Sequence, residues 1–342
     1  MEELKAKWLK SLRRDTYVII IQCSRETLIR TIRYIYAKAA NATSYGIDVF
    51  KWQSLTDKWY GTIKMKKSIS SIIDLNESVD VIDIGSNPIA GDPPYKKLLN
   101  ANLANILGFE PNENALQRLN KKKTINEKYI GKAVYDGSKQ EMKICQAEGM
   151  TSLLEPDMNL LGYLHGFPDW ARVKERLQVQ TVRLDDVEEI KNIDYLKIDI
   201  QGAELEVFKN ATNLLSDCCV IHTEVEFLPI YKDQPLFSEV EIYLREIGFI
   251  FHRFIDFRSR TIQPLLVNND IYGQLNQATW ADAVFVKDFT KFNELTTSKL
   301  KKTALILNDI YGSFDLALRS LLEVDKKLKK TNYAKKYLEY LR

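Results

Sequence analysis

The chain has 342 residues, and its 49 basic and 46 acidic residues leave a formal net charge of +3. That near balance gives no case for a nucleic-acid-binding surface or for attachment to an anionic membrane. Apolar residues at 45% and charged residues at 28% are ordinary for a soluble globular protein, and the scattered Cys23, Cys145, Cys218 and Cys219 make no disulfide framework and, without a CxxC pair or a histidine cluster, no zinc site.

Residues 1–78 read as an amino-terminal α/β extension. Its charged start lacks the apolar core of a signal peptide, and the run 17–23 is too short to span a bilayer, so a cytoplasmic protein is expected. That run reads as a strand. Leu28, Ile32, Ile35 and Ala39 form a helical stripe over 25–40. Residues 79–290 form the expected core domain. Apolar runs predict strands near 80–84, 106–110, 129–135, 193–199, 219–226, 249–254 and 281–286, with helices at 112–120, 203–210 and 237–247. This alternation predicts an α/β fold, a doubly wound, mostly parallel sheet. Residues 150–180 break the alternation. They are rich in Gly, Pro, Asp and aromatics and read as a lid or binding loop. Leucine-rich stripes at 293–310 and 315–329 and a last amphipathic piece at 333–341 predict carboxyl-terminal helices over 291–342. Basic runs at 121–123 and 326–330 read as solvated helix faces.

The chemistry gathers at strand ends. Val81, Ile82 and Ile84 surround Asp83, and Gly85 closes the run. In open α/β sheets ligands bind in the crevice at the carboxyl ends of strands, and a glycine there allows close approach of the backbone. Gly91, Pro93 and Pro94 then make a rigid, non-helical loop. Glu110 ends the second strand, 27 residues after Asp83 (110 − 83). An acid about 20 residues past such a loop accepts hydrogen bonds from ribose hydroxyls; its alternative role is to cap the following helix. The loop is not GxGxxG, which argues against a dinucleotide whose pyrophosphate needs that cradle. A cofactor without phosphates, such as S-adenosylmethionine, does not need it.

The second cluster lies in 194–210. Lys197 and Asp199 share one face of a strand by alternation, and Asp199 reaches the edge where Gly202 lets the chain turn. Glu204, in the first turn of the next helix, complements the helix dipole. On the following strand His222, Glu224 and Glu226 share a face. Asp199 and Glu224 are candidate ligands for a divalent cation such as Mg2+, a role that an acid/base pair fits equally well. His222 is a candidate general base, although a lone strand histidine is more often structural.

With these residues in place, the chain resembles the FkbM family of S-adenosylmethionine-dependent methyltransferases. The resemblance rests on VIDIGSNPIAGDPPY, GFEPN, AVYDGS, GMTSLLEPD, TVRLDD, DYLKIDIQGAELEVFKNA, HTEVEFLPIYKDQPLF and WADAVFVKD in the family's order over about 79–290, while YGSFDLALRSLLEVD looks like the tail of some members. It implies a Rossmann-like class I methyltransferase fold and S-adenosylmethionine as methyl donor. Its implied acceptor is a small molecule, a hydroxyl of a saccharide or glycosylated metabolite. Carried over by position, Asp83, Gly85 and Asn87 form the methionine-side loop, Glu110 binds ribose, Asp136 contacts adenine with Gly137 allowing the turn, and Ser152 reaches the cofactor carboxylate. The resemblance implies that Asp199 and Glu204 flank the methyl-transfer position and that Glu224 faces it; with Lys197 and His222 from the strand reading, Asp199 and Glu224 make the candidate catalytic set. The common methyltransferase glycine loop has closer glycines than this chain, a departure shared by the family branch with the NPIxGDPPY loop. Two other readings compete: a nucleotide-dependent oxidoreductase, disfavoured by the loop, and a non-catalytic scaffold, disfavoured by the intact acids Asp83, Glu110, Asp136 and Asp199.

Overall fold

The computed structural model describes residues 68–87, 89 and 91–342. The strand and helix expected at 17–40 lie outside the described residues. Ten strands follow in order: β1 (Val79–Ile84), β2 (Ala104–Phe109), β3 (Glu127–Ile130), β4 (Ala133–Val134), β5 (Lys139–Cys145), β6 (Val173–Val182), β7 (Tyr195–Ile198), β8 (Val220–Glu226), β9 (Phe249–Arg260) and β10 (Gln277–Lys287). The helices are α1 (Lys96–Asn100), α2 (Glu113–Lys122), α3 (Met158–Leu161), α4 (Phe167–Trp170), α5 (Glu204–Lys209), α6 (Thr212–Asp217), α7 (Phe237–Glu246), α8 (Thr297–Asp309), α9 (Phe314–Leu328) and α10 (Tyr333–Leu341).

Local sequence explains the helix ends. The Asn112 side chain accepts the Ala115 N–H at 3.1 Å, satisfying an amide that the first turn of α2 leaves free. Glu113 in the first turn and Lys121 and Lys122 in the last complement the dipole. Thr296 caps α8 in the same way, accepting from Lys299 N at 3.2 Å.

Seven strands form one sheet in the order β3-β2-β1-β7-β8-β10-β9. The pairs β1–β2, β1–β7, β2–β3 and β7–β8 are parallel, whereas β10 runs antiparallel to both β8 and β9. This is the expected mostly parallel, Rossmann-like sheet. The reversed β10 inserted between β8 and β9 was not readable from strand patterns, which carry no information about pairing partners.

Two expectations need correction. The strand predicted over 129–135 is two strands: β3 stays in the large sheet, and β4 leaves it to pair with β6. Residues 150–180 are not one irregular lid. They contain α3, α4 and most of β6, which pairs antiparallel with β5. Most β6 side chains are exposed, so the strand is held chiefly by its backbone ladders to β4 and β5.

The register sorts the large sheet into two faces. Ile82, Ile84, Leu196, Ile198, Ile221, Val225, Ala281, Ala283 and Phe285 pack in one core with Leu205, Phe208, Val240 and Leu244 of α5 and α7. The opposite face carries Asp83 beside Lys197, Lys197 beside His222, and Glu224 beside Asp282. At the amino edge, fully buried Asp194 meets Lys299 Nζ at 2.9 Å and Lys302 Nζ at 2.8 Å, tying α8 to the head of β7.

Candidate active site

β1 ends at Gly85, whose φ is +77°; a Cβ there would also collide with the Asp199 carbonyl oxygen at the end of β7. The glycine is therefore required by both its left-handed backbone and the close approach of two strand ends. Two residues upstream, Asp83 is buried. Tyr95 donates its hydroxyl proton to Asp83 Oδ2 at 2.6 Å, and burial, then Asp83, holds that phenol far above its ordinary range. Asp83 Oδ1 is buried without a hydrogen bond, with Lys197 Nζ 3.5 Å away. Lys197 also lies 3.9 Å from Asp199 Oδ2 and donates to the Gly85 carbonyl at 3.2 Å. Burial pulls the Lys197 pKa down, but Asp83, Asp199 and Asp282 outweigh it and raise the net value.

A cavity of about 1190 Å³ opens over these residues. Of the residues expected at the site, Asp83, Gly85, Asn87, Lys197, Asp199 and His222 lie in its wall, while Glu110, Asp136, Gly137, Ser152 and Glu224 do not. Asn87 donates to Glu148 at 2.7 Å, and Arg118 bridges the two. Glu110, 4% exposed, accepts the Asn112 N–H at 2.8 Å, and burial pushes its pKa up to about 7. Its capping contact is present, from a buried position rather than the surface. Asp136 accepts from Ser138 N and Oγ and from Thr181 Oγ1, shaping the turn at Gly137. The Ser152 hydroxyl donates to the Gln201 carbonyl at 2.7 Å.

Beyond β7 the acids converge. Asp199, Glu204 and Glu224 bring carboxylate oxygens within 4.8 Å of one another. Glu204 is buried and accepts the amides of Ile200 at 2.8 Å and Gly202 at 3.3 Å, which makes it an organiser of its own loop. Burial raises its pKa to about 7 against those hydrogen bonds. Burial, then Asp199 and neighbouring glutamates, drives Glu224 well above the usual carboxylate range. Gln201 stands between the two residues expected to hold a cation: its Nε2 donates to Asp199 Oδ1 and to Glu224 Oε2, both at 2.9 Å. An amide nitrogen facing both carboxylates does not fit an oxygen-seeking cation such as Mg2+ in this arrangement.

His222 sits 4% exposed in the cavity wall. Its Nδ1 lies 3.0 Å from the Tyr311 hydroxyl, and its Nε2 lies 3.6 Å from Asp282 Oδ2. Tyr311 comes from the turn between α8 and α9 and also meets the Tyr195 hydroxyl at 2.6 Å. Sequence reasoning missed Tyr95, Gln201 and Tyr311. None belongs to a periodic pattern, and only the glycine turn after Tyr311 hinted that its position is specified.

The methyltransferase FkbM domain family matches residues 83–251. No curated protein matches by sequence. Among solved structures, a Thermoplasma acidophilum protein described as a putative methyltransferase is similar at 9% identity and TM-score 0.33, covering 63% of this chain and 70% of that one. A precorrin-6y C5,15-methyltransferase from Geobacter metallireducens is similar at 12% identity and TM-score 0.30, covering 64% and 85%. The M. capricolum TrmK, solved with S-adenosylhomocysteine, is similar at 12% identity and TM-score 0.30, covering 81% and 100%.

Proposed function

We propose that this chain, whose residues 83–251 match the methyltransferase FkbM domain family, is an S-adenosylmethionine-dependent O-methyltransferase acting on a hydroxyl of a saccharide or glycosylated metabolite. The observation that carries this reading is the single cavity that runs from the Asp83–Asn87 loop to the polar sheet face at Asp199, His222 and Asp282. Its volume of about 1190 Å³ exceeds the ~300–1,000 Å³ usual for one drug-sized ligand, leaving room for donor and acceptor together.

The residues fit the cofactor. Asp83, whose buried Oδ1 makes no hydrogen bond and lies 3.5 Å from Lys197 Nζ, puts negative charge beside the cavity that complements an ammonium group. In this reading Glu110, just past β2 and buried outside the cavity wall, is the acceptor for ribose hydroxyls, and the loop provides no pyrophosphate cradle. When bound, S-adenosylmethionine supplies an electrophilic methyl group on a sulfonium. The chain's own work is largely positioning, because an in-line displacement gains most from alignment. Lys197, held between Asp83 and Asp199, stabilises negative charge as the acceptor hydroxyl loses its proton.

Calorimetric titration with S-adenosylhomocysteine tests the reading on wild type and Glu110→Ala. Micromolar binding that is lost in the variant supports cofactor and site together. Transfer of a tritiated methyl group to members of a saccharide panel then identifies the acceptor. Wild type that binds no S-adenosylhomocysteine overturns the reading.

A further inference from the structure

Asp282 lies on β10 opposite Glu224, outside the residues that match the family. Its side chain is 38% exposed and lines the cavity. Behind it, buried groups connect in series: Tyr195 to Tyr311 at 2.6 Å, Tyr311 to His222 Nδ1 at 3.0 Å, and His222 Nε2 to Asp282 Oδ2 at 3.6 Å. The direction of the protons in this series follows from counting donors and acceptors.

Tyr195 is 0% exposed, and its hydroxyl meets only Tyr311 among the described residues. If Tyr311 donated to Tyr195, the Tyr195 hydrogen would be buried with no acceptor, at a cost of about 1–3 kcal/mol. If Tyr195 donates to Tyr311, the Tyr311 hydrogen is free to reach His222 Nδ1, and every group is satisfied. Burial, then the Tyr311 oxygen, keeps the Tyr195 phenol protonated and hence a donor. With Nδ1 accepting, the neutral imidazole carries its hydrogen on Nε2. That is the nitrogen facing Asp282. His222 therefore presents an N–H toward the carboxylate and cannot accept a substrate proton there.

The other acids are less open. Asp199 and Glu224 share the Gln201 amide, and Glu224 is not in the cavity wall. Among the described residues no donor stands closer to Asp282 than His222 at 3.6 Å, and its carboxylate lines the cavity.

We propose that Asp282 is the general base for the acceptor hydroxyl, and that Tyr195, Tyr311 and His222 are positioning residues that fix the imidazole tautomer behind it. This rests on the O-methyltransferase reading above. The acceptor O–H bond breaks, with its proton passing to an Asp282 oxygen. The acceptor oxygen's electron pair forms the new O–C bond as the S–C bond breaks and the sulfur departs as a neutral thioether. One cation and one anion thus become a neutral thioether and a carboxylic acid, which later returns its proton to solvent.

Three measurements test this on the full chain: kcat and KM with an accepted saccharide, S-adenosylhomocysteine affinity, and the nitrogen NMR signals of the His222 ring, assigned by their loss in His222→Gln. Asp282→Asn is expected to lower kcat by ~100-fold or more while leaving S-adenosylhomocysteine affinity nearly unchanged; Asp282→Glu should recover part of the rate. Tyr311→Phe should lower kcat by about 10-fold, less than loss of the base itself, and shift the His222 hydrogen from Nε2 toward Nδ1. An active wild type whose Asp282→Asn variant keeps kcat within a few-fold removes the base assignment and leaves the methyltransferase reading standing. A wild-type spectrum with the hydrogen on Nδ1 overturns the relay. Wild type that binds no S-adenosylhomocysteine and methylates no saccharide sinks both readings.

Discussion

Glu110→Gln isolates the electrostatic cost of placing a carboxyl at the end of β2. Burial raises this group from an ordinary 4.5 to about 7. At ~1.4 kcal/mol for each tenfold change in proton affinity, that difference amounts to about 3 kcal/mol. The native state binds the proton more tightly than the unfolded chain does. The resulting stabilisation is complete below about pH 4.5, where both states are protonated, and is lost as pH rises through about 7. The amide does not titrate, and it keeps an oxygen for the Asn112 N–H. Denaturant unfolding of both chains from pH 4.5 to 8 should therefore show the variant gaining on wild type with rising pH, by up to about 3 kcal/mol. Other titrating groups cancel in the difference, and an unpartnered amide N–H adds only a constant offset. A difference that stays flat across this range would refute the argument that Glu110 is held protonated by burial. If the carboxylate also binds ribose hydroxyls, S-adenosylhomocysteine affinity in wild type should weaken below pH 7 and become pH-independent in the variant.

Three other perturbations follow from the geometry. Gly85→Ala places a Cβ against the Asp199 carbonyl at a φ of +77°; it should lower the melting temperature, reflecting a cost of at least about 1–3 kcal/mol, and weaken S-adenosylhomocysteine binding in calorimetry. Lys302→Met leaves the buried Asp194 with Lys299 and the Asp80 amide, and the loss should be about 3 kcal/mol in denaturant unfolding, with kcat little changed because this pair lies at the opposite edge of the sheet. Methyl transfer should survive exhaustive chelation, since Gln201 Nε2 faces both Asp199 and Glu224; activity lost to chelator and restored by Mg2+ would show that Gln201 moves aside for an ion.

Strands β1, β2, β7 and β8 were legible because each is a short apolar run closed by a turn residue, and local composition specifies such runs. The same was true of α2, α5 and α7 and of the leucine-striped carboxyl-terminal helices. Alternation along β7 and β8 correctly put Lys197 with Asp199, and His222 with Glu224, on single faces, because the two-residue period is a property of the strand alone. β6 was missed for the converse reason: its side chains are mostly exposed and its partner β5 is supplied by another part of the chain.

The sequence by itself determined the turn-closed strand ends, the acids placed there and the match of residues 83–251 to the methyltransferase FkbM domain family. Only the tertiary structure decided that β10 enters between β8 and β9 in reverse, bringing Asp282 opposite Glu224. It alone brought Tyr311 against His222, 89 residues away in sequence, and inserted the Gln201 amide between two carboxylates. Strand periodicity is a local property, whereas hydrogen-bond partners, proton positions and the burial that raises Glu110 arise where distant segments meet, and no window along the chain contains both sides of those contacts.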